Sequence, residues 1–189
     1  MNSKNTPSSQ IILVTGAARS GKSEWAETLA TQSGRAVVYV ATALLDENDR
    51  EWCERIDKHQ RRRPSHWTTH SVPVALAEEI EYASASSCLL VDSLGSWVAN
   101  LLSWDAEAWE ETVARLLISL AQTQATVILV AEETGWGVVP AYSAGRQFRD
   151  RLGNLSRNIG ASADCVYLVT GGHVLDLTQL GQRLAWPHE

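Results

Sequence analysis

A chain of 189 residues, 44% hydrophobic and 20% charged, is long enough to bury one substantial core and too evenly composed to be disordered or fibrous. Its net charge of −6 sets aside nucleic acid and anionic membrane surfaces as partners, and no apolar stretch is long enough to cross a bilayer. The three cysteines, Cys53, Cys88 and Cys165, lack metal-type spacing; Cys88 and Cys165 open apolar runs and read as buried thiols in a reducing, cytoplasmic setting.

Residues 1–9 are polar, carry no leader pattern and are expected to form a flexible N-terminal tail. Residues 10–189 show no linker or internal repeat, so a single domain is expected there. The first element is the apolar run Ile11–Val14, a buried strand. It leads into Gly16, Ala17, Ala18, Arg19, Ser20, Gly21, Lys22 and Ser23, which fit the phosphate-binding pattern G-x-x-x-x-G-K-[ST]. Backbone N–H groups of such a loop cradle phosphates, Lys22 reaches the β- and γ-phosphates, and the Ser23 hydroxyl is a candidate Mg²⁺ ligand. A helix should follow, because Trp25 with Leu29 and Ala26 with Ala30 are four residues apart. Strand, loop and helix in this order predict a nucleoside triphosphate site.

A second strand, Ala36–Ala41, precedes an acidic stretch, Asp46–Asp49, and a helical segment in which Trp52, Ile56 and His59 share a face. The segment runs on through Gln60, Arg61, Arg62 and Arg63 and stops at Pro64. A neutral imidazole can attack phosphorus, and three arginines would neutralise a triphosphate beside it. On residues alone, a half-buried helix histidine flanked by solvated arginines is the plainer reading.

The third strand, Cys88–Val91, ends in Asp92, where a phosphate-loop protein carries its Mg²⁺-holding carboxylate opposite Ser23. Helix capping is the other role open to Asp92, since Trp97–Leu102 looks helical. Glu81–Ser87 reads as a surface turn. A helix bearing Trp109, Val113, Leu116, Leu117 and Leu120 comes next, then a fourth strand, Thr126–Val130. Glu132 and Glu133 close that strand and are candidates for a base or a second metal contact, or else a surface pair flanking a helix. In Gly135–Pro140, Trp136 could pack on a large apolar ligand, anchor the loop or meet another subunit. Phe148, Leu152, Leu155 and Ile159 mark a further helix, on which Arg146, Arg149 and Arg151 either bind phosphate or solvate the surface; Cys165–Val169 is a fifth strand. Alternating strands and helices, with strands apolar on both faces, predict an α/β protein built on a mainly parallel sheet with helices on both faces. Loops at the carboxyl ends of its strands would form the site. Most of the eight tryptophans are expected to be structural.

Four segments together resemble the bifunctional adenosylcobinamide kinase / adenosylcobinamide-phosphate guanylyltransferase family of cobalamin biosynthesis. They are ILVTGAARSGKSEWAE, VVYVATALLD with RIDKHQRRRPSHW, LLVDSLGSWVANLL, and GWGVVP with GRQFRDRLG and SADCVYLVTGG, in family order from Ile11 to Gly172. The spacing R-I-x-x-H-x-x-x-R-P-x-x-W is the most specific of these signals. The resemblance implies a RecA-like P-loop NTPase fold and a homo-oligomer, a trimer by family type. It implies that His59 accepts GMP from GTP, that Lys22 serves catalysis, and that Gly16–Ser23, Ala41, Thr42, Ala43, Gln60, Arg61, Arg62, Arg63 and Asp92 bind nucleotide. It further implies ATP or GTP as phosphoryl donor, with Mg²⁺, and adenosylcobinamide and its phosphate as acceptors. Departures from the family pattern fall at Ser71, at Glu132 (an asparagine in the family), at Ser156-Arg157 (Asn-Gln in the family) and over Leu175–Leu180. A single-activity P-loop kinase and a non-catalytic nucleotide-binding regulator are the alternatives, and both predict no covalent GMP on His59.

Overall fold

Why the apolar runs are hydrophobic on every residue becomes clear in a computed structural model, which describes residues 9–44 and 63–184. Five runs form the centre of a seven-stranded sheet: β1 (Ile11–Gly16), β2 (Ala36–Ala41), β4 (Ser87–Asp92), β5 (Thr126–Glu132) and β6 (Cys165–Thr170). Two short strands, β3 (Thr68–Ser71) and β7 (His173–Asp176), close the edges, giving the order β3-β2-β4-β5-β1-β6-β7. Every pairing is parallel except β6 with β7. Neither edge strand is legible as an apolar run. β3 reads Thr-Thr-His-Ser and is exposed along its length, as suits an edge that must not recruit further strands.

Helices cover both faces. α1 (Lys22–Gln32) packs on one, and α2 (Leu76–Glu81), α3 (Leu94–Asn100), α4 (Ala106–Gln122) and α5 (Ser143–Ser162) pack on the other, with a short α6 (Leu177–Leu180) near the end of the described chain. The period of two sorts the strand residues between two cores. Ile12, Val14, Tyr39, Leu90, Ile128 and Val130 meet Ala26 and Ala30 of α1. Leu13, Val40, Leu89, Val91, Val127 and Leu129 meet Ile80, Trp97, Leu116, Leu152 and Ile159 on the other side. Alanines on α1 let that helix lie close to the sheet, which brings its N-terminus to the end of β1. Each fully buried leucine here contributes roughly 1.5–3 kcal/mol of transfer free energy.

The architecture is the expected α/β P-loop NTPase fold. Some local expectations need correction. Cys88 is buried, and burial pushes its thiol up to about 11, but Cys165 is only half-buried. The helix expected over Trp97–Leu102 begins three residues earlier, at Leu94, because the Ser93 side chain accepts the Ser96 N–H and caps it. Arg151 neither binds phosphate nor solvates its helix. It is buried, donates to the carbonyls of Leu101, Leu102 and Trp104 beyond the end of α3, and lies 4.8 Å above the Trp109 ring. Trp97 is wholly buried and joins its indole N–H to the Val74 carbonyl, whereas Trp136 is 66% exposed.

Candidate active site

Parallel pairing brings the ends of β1, β2, β4 and β5 to one edge of the sheet. Gly16 and Glu132 are register partners there, as are Ala41 and Asp92. The loop Gly16–Ser23 turns from β1 into α1 across this edge. A Cβ at Gly16 would collide with the Val169 carbonyl and the Ser20 side chain, and Gly21 sits at φ 97°, so both positions require glycine. Arg19 also adopts a left-handed φ of 61°. Ala17, Ala18 and Arg19 are exposed, while Lys22 is 8% exposed and donates a long 3.3 Å bond to the Ala17 carbonyl.

Two features leave this loop short of hydrogen bonds. Gly21 stands at the N-cap of α1, so no capping side chain meets the first-turn N–H groups. The Ser20 hydroxyl is buried and finds no partner among the described residues. An uncapped helix N-terminus beside an ammonium group is a site for an oxyanion.

Asp92 lies on the same face of the sheet as α1. Its carboxylate accepts the Tyr39 hydroxyl at 2.8 Å, and Tyr39 belongs to the core that includes Ala26 and Ala30. Helix capping is not its role, because Ser93 caps α3. Burial raises the Tyr39 phenol far above its ordinary value, and the neighbouring Asp92 charge adds to this against the opposing Arg63. The Arg63 guanidinium stacks 3.4 Å from the centre of the Tyr39 ring and reaches Thr69 Oγ1 at 3.4 Å. Its Nε is buried without a partner among the described residues. His59, Gln60, Arg61 and Arg62 lie outside the described residues.

The turn after Asp92 is tied down on every side. Thr42, wholly buried, donates to the Ser93 carbonyl at 2.6 Å and accepts the Ser93 N–H at 3.0 Å. Glu132 accepts the Ser93 hydroxyl at 2.7 Å and the Gly95 N–H at 3.0 Å. Asn100 bridges the Thr42 and Pro73 carbonyls. Glu132 therefore fixes the turn that carries Asp92. Glu133 faces the other side, accepting the Thr15 hydroxyl at 2.6 Å while its own N–H donates to the Gly16 carbonyl. Two residues that pattern reading passes over matter here, Tyr39 and Ser93; the only signal for Tyr39 was a hydroxyl-bearing ring in an otherwise aliphatic strand. Ser71, one of the departures, is an exposed residue of the edge strand β3.

Ser23, half-buried in the first turn of α1, and Asp92 supply one hydroxyl and one carboxylate. Such sparse, hard oxygen donors fit Mg²⁺, which completes its shell with phosphate oxygens and water and needs no protein cage. Among the described residues no cluster of three or more His, Cys, Asp or Glu forms such a cage.

The family described as cobinamide kinase / cobinamide phosphate guanyltransferase matches residues 12–177. The bifunctional adenosylcobalamin biosynthesis protein CobP of Pseudomonas aeruginosa is 42% identical over 162 residues, 85% of this chain and 92% of that protein. The bifunctional adenosylcobalamin biosynthesis protein CobU of Escherichia coli K12 is 35% identical over 86% of this chain and 96% of its own. Among solved structures, a Pyrococcus horikoshii OT3 protein aligns with a TM-score of 0.57 at 6% identity, covering 96% of this chain and 94% of that one. The flagellar accessory protein FlaH of Methanocaldococcus jannaschii aligns at 0.50 and 15% identity, covering 94% and 83%. These two likenesses concern the fold alone.

Proposed function

The chain belongs to the cobinamide kinase / cobinamide phosphate guanyltransferase family, and from that premise we propose that one nucleotide site serves two successive transfers. As a bifunctional enzyme of adenosylcobalamin biosynthesis it would first phosphorylate the aminopropanol hydroxyl of adenosylcobinamide, with ATP or GTP as donor. It would then attach GMP to the new phosphate, giving adenosylcobinamide-GDP and pyrophosphate. The observation that carries this reading is the phosphate loop: an α1 with no side-chain cap, a buried Lys22 and a Ser20 hydroxyl without a partner among the described residues, at the same edge of the sheet as an Asp92 held by Tyr39.

In the kinase step the acceptor hydroxyl oxygen bonds to the γ-phosphorus, the bond to the β-phosphate oxygen breaks, and a nucleoside diphosphate leaves. Lys22 and the α1 amides stabilise the charge that builds on the transferred group. Mg²⁺, held by Ser23 and Asp92, would screen the phosphates and orient them. In the second reaction an imidazole nitrogen of His59 bonds to the α-phosphorus of GTP and pyrophosphate leaves. A phosphate oxygen of the acceptor then displaces the imidazole and takes the GMP. Gln60, Arg61, Arg62 and Arg63 follow the nucleophile in sequence and would neutralise the triphosphate; Ala41–Ala43 would line the same site. A homo-oligomer, trimeric by resemblance, in the cytoplasm completes the reading. No helix among the described residues is long and apolar enough to cross a membrane.

Intact-mass measurement after mixing protein with GTP and Mg²⁺ tests the covalent step. An acid-labile GMP adduct absent from His59→Ala is expected. Nucleotide binding with no adduct would leave a single-activity kinase or a nucleotide-binding regulator. An adduct that survives His59→Ala would move the nucleophile to another residue.

A further inference from the structure

On the face of the sheet opposite α1, a cavity of about 500 Å³ lies between α5, the ends of β1 and β5, and the α6 segment. We propose that this cavity is the acceptor site, taking the alcohol-bearing arm of the corrinoid and one edge of its ring. The proposal rests on the kinase–guanylyltransferase reading and adds to it a place for the second substrate.

Three observations converge on this assignment. The first is the wall contributed by α5. Gly153, Ser156 and Gly160 recur along one face of that helix at spacings of three, four and seven, beside the face that buries Leu152, Leu155 and Ile159. A helix that merely covered a sheet would carry aliphatic side chains in this row, and glycine is the least favourable helix residue other than proline. A Cβ at Gly153 would meet nothing within 4 Å, and one at Gly160 would make only ordinary contact with Leu13 and Val166. Close packing therefore does not demand these glycines, and at Gly153, which is exposed on the cavity wall, open space lies beyond the backbone. The Ser156 hydroxyl in the same row is buried with no hydrogen-bond partner among the described residues.

The second observation is where the cavity leads. Buried Thr15 and its partner Glu133 are among the residues that line it. Thr15 immediately precedes the phosphate loop, and the Glu133 N–H donates to the Gly16 carbonyl. The side chains of Leu13 and Thr15 enter the cavity from one face of β1, whereas Ile12 and Val14 point to α1 on the other. A triphosphate on the α1 N-terminus and an acceptor in the cavity thus reach the end of β1 from opposite faces of the sheet. Displacement at phosphorus needs the nucleophile and the leaving group on opposite sides of the reacting atom.

The third is chemical match. Leu13, Val166 and Leu177 supply apolar wall, Ser156 and Thr178 supply hydroxyls, Arg149, Arg157 and Arg183 supply guanidinium groups that suit the phosphate the arm acquires, and Glu133 accepts a hydrogen bond from Thr15. An arm of methyl and amide groups ending in a hydroxyl suits such a lining. The volume is that of a pocket for a drug-sized ligand, about 300–1,000 Å³. A whole corrinoid exceeds it, so the ring would remain at the mouth, where Trp136 is exposed.

Filling the cavity from α5 tests the assignment. Gly153→Leu and Gly153→Ala place a large and a small side chain into open space, and both residues favour helix over glycine, so the alanine variant keeps the test open should the leucine variant misfold. The Michaelis constant for cobinamide should rise about tenfold in Gly153→Leu and about twofold in Gly153→Ala. The constant for nucleotide and the rate of GMP-adduct formation with GTP alone should stay at wild-type values. Folded variants with an unchanged cobinamide constant would overturn the proposal. So would a raised nucleotide constant with the cobinamide constant unchanged, which would give the cavity to the nucleotide. A wild-type protein that phosphorylates no cobinamide would instead overturn the kinase reading, and the acceptor site with it.

Discussion

Two turns at the same edge of the sheet are built on opposite principles. After β4, the Asp92–Gly95 turn is held by internal partners: Thr42 on the Ser93 N–H and carbonyl, Glu132 on the Ser93 hydroxyl and the Gly95 N–H, Tyr39 on Asp92. After β1, the phosphate loop keeps its helix without a side-chain cap, its Ser20 hydroxyl without a partner among the described residues and its lysine on a long bond to its own loop. A turn that satisfies itself holds a carboxylate still; a turn that does not is completed by its ligand. Changes in the first should therefore cost stability before turnover, and changes in the second should cost turnover before stability.

Lys22→Ala is the sharpest test of the open turn. The kinase kcat should fall by about a thousandfold, from lost stabilisation of the transferring phosphoryl group, with the melting temperature of the nucleotide-free protein unchanged. The stabilisation that Mg²⁺ and GTP confer on the wild type should shrink with it. Glu132→Ala is the counterpart in the closed turn. It strands the Ser93 hydroxyl and the Gly95 N–H, so chemical denaturation should show a loss of about 2–3 kcal/mol, with turnover falling less than in Lys22→Ala. A full-stability Glu132→Ala protein with abolished turnover would break the comparison and make Glu132 a reacting group. Thr42→Val keeps the shape but removes both bonds to Ser93, and should cost about 1–3 kcal/mol. Tyr39→Phe is the mildest, about 1 kcal/mol at neutral pH. Its signature is at alkaline pH. The folded protein holds the phenol neutral well above its ordinary value near 10, so that contribution is complete below pH 10 and is lost as pH rises beyond it. Urea titrations from pH 9 to 11 should show a steeper loss of stability in the wild type than in Tyr39→Phe.

Legibility in the sequence followed burial. The five central strands are apolar on both faces because helices cover both, and such runs stand out without an alignment. β3 and β7 escaped notice because an edge strand has little to bury; β3 is polar and exposed, and β7 begins with His173 in an exposed turn after Gly171 and Gly172. α2, with only Leu76, Ala77 and Ile80 buried, is too short to show a period. The positions of Lys22, Ser23 and Asp92 at one edge of the sheet were readable because a strand end and a loop of fixed spacing define them; their roles belong to the proposed function. Glu132 was singled out as a base or metal contact, yet in the structure it serves the Ser93 turn. The cavity beside α5 was not anticipated, since it is made by residues that are small, and absent side chains leave no periodic signal. Arg149, suspected as a phosphate ligand, pairs with its neighbour Asp150 in the structure, and Arg146 holds the carbonyls of Pro140 and Ala141.

The stacking of Arg63 on Tyr39 has a consequence in plain chain length. His59 precedes Arg63 by four residues, and four residues of fully extended chain span at most about 14 Å between Cα atoms. Arg63 is moored to the ring whose hydroxyl holds Asp92. Whatever path the intervening backbone takes, the histidine is on a leash whose post stands beside the carboxylate. On the proposed role of His59, its supply to the phosphate loop would be a matter of local concentration rather than of diffusion from afar. Lengthening the leash, by inserting glycines between His59 and Arg63, would then slow the proposed GMP transfer by diluting the imidazole without altering its chemistry.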